Sequence, residues 1–197
     1  MKTISVLLAL GLLAGCSREP APSTSQKANA LSAPRTFADV IKQTPLVAEV
    51  TVLSMVGRDE VTGTSRQPVI VTDLTLRIER SISKQTVEQL VVTQLGGAVG
   101  ERGLQVSDQP VFVQGEGYIV FADPAQKQRP FPVGPAGVLH VIDGHVFGLD
   151  GRAVLAVRAE GFVFGRKAGV PELVPSTVVE VAMTDADVMS ALDGFAR

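Results

Sequence analysis

The chain has 197 residues with 18 Lys and Arg against 20 Asp and Glu, a single cysteine and no tryptophan. One cysteine excludes an intramolecular disulfide. The near-balanced, scattered charge excludes the basic patch of a nucleic-acid binder and a dedicated anionic-lipid surface.

The chain opens as an export signal. Lys2 supplies a positive start, and residues 4–13 are apolar apart from Ser5 and Gly11. That run is shorter than the roughly 20 apolar residues a transmembrane helix needs. It ends in Leu13-Ala14-Gly15-Cys16, which resembles the lipobox of bacterial lipoproteins. The resemblance implies a diacylglycerol thioether on Cys16, cleavage just before it and acylation of the new amino group. Small residues at Ala14 and Gly15 suit a peptidase cleft. Each buried methylene contributes about 0.8 kcal/mol, so two or three acyl chains make a stable anchor. The expected address is the cell envelope. By the sorting pattern of such lipoproteins, Ser17 in place of Asp favours the outer membrane.

Residues 1–15 are thus expected to be a signal peptide and residues 16–35 the lipidated cysteine and a tether. The tether is rich in Ser, Pro, Ala, Thr and Gln, a composition that buries too little apolar surface to offset the entropy of ordering. Its typical reach is about 25 Å. Without Lys2 the mature chain keeps 17 basic and 20 acidic residues, a charge near −3. Residues 36–197, about 160 in all, fit one β-rich domain able to bury a core without disulfides or metals.

Thr36 caps a first helix with Phe37, Val40 and Ile41 on its apolar side. Residues 46–56 form a strand with Leu46, Ala48, Val50 and Val52 on one face. Ile70, Leu74, Leu76 and Ile78 alternate with polar residues in a half-buried second strand. Residues 90–95 make a third, ended by Gly96-Gly97. Residues 118–121 make a fourth, after Gly115-Glu116-Gly117. Asp143-Gly144 is a two-residue hairpin signal between strands at 139–142 and 145–149. Residues 153–157 are a further strand. Thr184 caps a last helix, with Asp185 and Asp187 placed for its dipole and Val188, Met189 and Leu192 facing the core. The expected fold is mainly β: a small closed or partly open antiparallel barrel, OB-like, or a sandwich, with a short helix near each end.

The stretch from Val47 to Leu149 is similar to a β domain found in many uncharacterised exported bacterial proteins. The shared pattern is Val71-Thr72-Asp73 with residues 76–79, Gly96-Gly97 with Gly100, Gly115-Glu116 with residues 118–121, and residues 144–147. Residues 81–85 replace a glycine usual after the second strand. The likeness implies fold and no activity. Some such proteins sit beside secreted metalloproteases, but this chain has no zinc-protease helix motif.

Chemistry-bearing candidates are few. With Asp143-Gly144 as the turn, Ile142 pairs with His145 and His140 with Phe147, so His140 and His145 form a diagonal pair on one face. With a carboxylate they have the makings of a metal site; as ordinary strand residues they carry no function. The glycines at 96, 97, 100 and 103 lack the Lys-Ser or Lys-Thr of a phosphate loop and read as turn residues. No Gly-x-Ser-x-Gly elbow exists, and Ser65 sits in a polar stretch. That stretch, residues 57–68, reads as a loop in which Arg58, Asp59, Glu60 and Arg66 are available to a partner. Phe131, between Pro130 and Pro132, either docks on a partner or covers one end of the domain. No cofactor is expected. The leading functional expectation is a lipid-tethered, non-enzymatic module for an envelope protein or polymer. The alternatives are a metal-dependent hydrolase using His140 and His145, or an inhibitor of a secreted protease.

Overall fold

The computed structural model describes residues 36–61, 68–83, 87–167 and 180–197. A helix, α1 (Phe37–Gln43), begins at Thr36, whose hydroxyl accepts from the Asp39 N–H while the Asp39 carboxylate accepts from the Thr36 N–H. Six strands follow: β1 (Leu46–Glu60), β2 (Val69–Ser81), β3 (Gln89–Leu95), β4 (Gly97–Val99), β5 (Arg102–Leu104) and β6 (Gly117–Ala122). A 3-10 turn at Gly134–Gly137 leads to β7 (Val138–Ile142), β8 (His145–Gly148), β9 (Val154–Arg158) and β10 (Gly161–Phe164). The chain closes on α2 (Asp185–Ala196), capped by Thr184. Among the described residues no helix is long and apolar enough to cross a membrane.

One antiparallel sheet has the order β3-β2-β1-β6-β7-β8, beside two hairpins, β4–β5 and β9–β10. Among the described residues no pairing joins β3 to β8. Each outer edge is covered instead. Leu95 N–H donates to the Gln128 carbonyl and Gln128 N–H to that of Thr93, while on β8 Val146 N–H donates to Met183 and Gly148 N–H to Arg152.

The apolar run Tyr-Ile-Val-Phe-Ala in β6 is buried on both faces, as expected of a central strand under two layers. On one face Leu46, Ala48, Val50, Val52, Leu74, Leu76, Tyr118 and Val120 pack with Phe112 and Phe131 from the connecting segments. On the other, Val47, Ile119, Phe121, Leu139 and Val146 meet Ile41 of α1 and Val188, Met189 and Leu192 of α2. Both cap residues and the core side of α2 therefore match the sequence reading.

Three local expectations are corrected. First, β1 continues through Gly57, Arg58, Asp59 and Glu60, which pair with Thr72, Val71, Ile70 and Val69. These polar residues read as a loop from composition, but the ladder to β2 satisfies their backbone and only residues 61–68 remain between the strands. Second, the glycine cluster forms a hairpin, β4–β5, as well as its turns; Gly96, Gly97 and Gly100 have φ of 101°, 120° and 58°. Third, β10 pairs with β9 where no second strand was expected.

Candidate functional site

The Asp143-Gly144 turn has positive φ at both residues, 49° and 74°, which sets the two-residue hairpin. Ile142 then pairs with His145 and His140 with Phe147, as the sequence predicts. The other neighbour of β7 was not legible. Pairing with β6 places Tyr118 opposite His140, and their rings stack with centroids 4.8 Å apart and planes 12° from parallel.

Glu116 stands two residues before Tyr118 and joins the two rings. Its Oε2 lies 2.7 Å from His140 Nε2 and accepts a hydrogen bond from the Tyr118 hydroxyl at 3.1 Å. A carboxylate only accepts, so Nε2 is the protonated nitrogen in the neutral ring. The Tyr118 oxygen also accepts from the Val113 N–H at 3.0 Å, anchoring the extended stretch of residues 110–113.

Tyr118 is 2% exposed. Burial pushes its phenol up to about 12 from 10.0, against the opposing hydrogen bond from Val113. The unfolded chain ionises near 10, so this stabilisation is complete below pH 10 and is lost as pH rises toward 12. The expected alkaline loss is about 2–3 kcal/mol. Tyr118 is the chain's one tyrosine, so its absorbance reports this ionisation alone. Denaturant curves from pH 9 to 12 on the native chain and Tyr118→Phe check it; equal slopes in both refute it.

Above these groups lies a cleft of about 380 Å³ lined by Gln109, Pro110, Val111, Val113, Glu116, Tyr118, Pro135, His140 and Leu149. Phe112 points into the core while Val111 and Val113 are 73% and 50% exposed. Among the described residues, no intramolecular hydrogen bond reaches the backbone N–H or C=O of Val111 or Phe112. The wall of the cleft therefore carries apolar side chains outward and, at Val111 and Phe112, unpaired main-chain groups. No Ser, Thr, Cys or Lys is in the lining.

The other sequence candidates lie elsewhere. His145 is exposed, its Nδ1 3.0 Å from the Asp143 carbonyl oxygen. Among the described residues no cluster of three or more His, Cys, Asp or Glu is placed to hold a metal. Arg58 is engaged internally, 2.7 Å from both Asp73 and Glu60, and Asp73 also accepts from Thr93 at 2.6 Å. The Arg58 hydrogen bond holds the Asp73 carboxyl below its usual range. Asp59 pairs with Arg102 of β5 at 2.6 Å. These pairs tie β1 to β2 and β5. Phe131 turns inward, packed on Phe112 with centroids 5.1 Å apart; it covers the core and offers no ring to a partner. Arg66 and Cys16 lie outside the described residues.

Sequence reasoning missed the role of Glu116, Val111 and Val113. The apolar run Pro110-Val111-Phe112-Val113 was the available signal for the valines; nothing local pointed from Glu116 to His140. No family model, curated protein or solved structure matches this chain.

Proposed function

We propose that this chain is a lipid-anchored envelope lipoprotein whose β domain is a non-enzymatic binding module, its partner seated in the cleft between residues 110–113 and His140. The anchoring half rests on the Leu13-Ala14-Gly15-Cys16 motif and the tether-like composition after it, with Ser17 favouring the outer membrane. The binding half rests on one observation: Val111 and Val113 stand exposed above a fixed polar floor, on a segment whose Val111 and Phe112 main-chain groups are unpaired among the described residues. Isolated exposed apolar residues are ordinary, but neighbouring ones beside a cleft mark interaction sites. With other segments bonded along both of its edges, the six-stranded sheet is best read as a partly open, OB-like barrel.

A hydrolase reading has one observation in its favour, the carboxylate-held imidazole of His140, an arrangement that suits a general base. The lining holds no Ser, Thr, Cys or Lys, and its Tyr118 hydroxyl is buried and bonded to Glu116 and Val113, so the binding reading takes precedence.

Affinity capture from gently solubilised envelopes tests the proposal. The native chain is expected to recover one stoichiometric partner. The double substitution Val111→Asp with Val113→Asp is expected to lower that recovery at least tenfold, about 1.4 kcal/mol or more. Equal recovery by both would reject the cleft. Cys16→Ser is expected to move the protein to the soluble fraction without loss of the partner; continued membrane retention would reject the lipid anchor.

A further inference from the structure

We infer that the cleft takes an extended peptide segment of its partner, which pairs with the backbone of Val111 and places a lysine or arginine on Glu116. The inference rests on the binding reading above and names the chemistry of the partner.

Charge complementarity carries it. Glu116 is the one acidic residue of the lining, and its side chain is 40% exposed. Both of its internal donors, His140 Nε2 and the Tyr118 hydroxyl, use the same oxygen, Oε2. Among the described residues, Oε1 has no hydrogen-bond partner. The carboxylate is thus held in place by one oxygen and left able to accept through the other. Such a preorganised anion recognises a cationic donor, because little side-chain entropy remains to be lost on binding.

The adjoining hollow along Pro135 and Leu149 does not compete for that charge. Its cation, Arg152, is paired with Asp150 at 2.6 Å and lies 4.8 Å from the centroid of the Phe164 ring. The other titratable groups in the cleft, His140 and Tyr118, both donate to Glu116 Oε2.

Main-chain geometry selects an extended peptide over a free amine. The N–H and C=O of Val111, both unpaired among the described residues and directed to the same edge of an extended chain, are what one residue of an added strand pairs with. Alternate residues of such a strand point to one side, so a basic residue over Glu116 is flanked by residues that face away from it.

The probes are the peptides acetyl-Val-Lys-Val-Lys-Val-amide and acetyl-Val-Glu-Val-Glu-Val-amide, titrated into the purified full chain. Tyr118 fluorescence and calorimetry are the readouts, since the chain has no tryptophan and no second tyrosine. The lysine peptide is expected to bind at least tenfold more tightly than the glutamate peptide. That preference is expected to shrink as salt rises from 50 to 300 mM, as screening requires. Glu116→Gln is expected to abolish the preference, and Val111→Pro, which removes the N–H, to weaken both peptides tenfold. If Glu116→Gln unfolds the chain, the salt series on the native protein decides the point.

No binding by either peptide, equal affinity for both, or a lysine preference unmoved by Glu116→Gln would overturn the inference. Should envelope capture still depend on Val111 and Val113 in that event, the binding reading stands without it. Should capture also ignore those valines, both fall.

Discussion

Phe121→Ala is expected to lower the unfolding free energy by about 3–5 kcal/mol, the range for deleting a buried aromatic ring. Phe121 lies in the central strand β6, opposite Val47 of β1, and is almost fully buried. Its ring centroid is 6.1 Å from that of Phe37 in α1 and 6.0 Å from that of Phe162 in β10. Phe37 also sits 6.0 Å from Phe195 of α2. The side chain therefore joins the sheet to both helices and to the β9–β10 hairpin. A cavity here is bounded on one side by backbone that the β1 and β7 ladders hold in place, so it collapses poorly. Urea unfolding of Phe121→Ala and Phe121→Leu, with Leu expected to lose about half as much, is the check. A loss below about 1.5 kcal/mol for Phe121→Ala would show that α1 and β10 repack freely over the sheet.

Gly57→Ala is expected to cost about 3 kcal/mol or more, an unusually large effect for one added methyl group. A Cβ at residue 57 would lie 2.0 Å from the Ala98 carbonyl oxygen, where β4 crosses β1. The obstructing atom is main chain, and its strand cannot shift without disturbing the Gly96-Gly97 turn. That turn is pinned by the Thr72 hydroxyl, which donates to the Gly96 carbonyl at 2.7 Å. Gly100→Ala serves as the comparison. Unlike Gly57 it has positive φ, 58°, but no atom lies within 4 Å of an added Cβ, so only the backbone cost of about 1 kcal/mol applies. Thermal unfolding of the two variants separates close approach from backbone conformation. Equal losses would mean that β4–β5 is loosely seated on the sheet.

Both effects were invisible at the level of composition. Gly57 reads as the start of a polar loop until β4 is seen to lie across it. Phe121 reads as one apolar residue among several until both faces of β6 are covered.

What the sequence by itself determined is whatever is encoded within a few residues. Thr36 with Asp39, and Thr184 with its acidic first turn, specify helix starts because the cap bonds are local. Asp143-Gly144 specifies a hairpin and its register because only such residues adopt two successive positive φ values cheaply. The alternation in β2 specifies its buried face. Only the tertiary structure decided the pairings between strands far apart in the chain: β1 with β6, and β6 with β7. Those pairings lay Tyr118 against His140 and give Glu116 its two donors. Ladder bonds are formed by the backbone, which every residue shares, so a strand's sequence states which face it buries and leaves its neighbour to be settled by global packing.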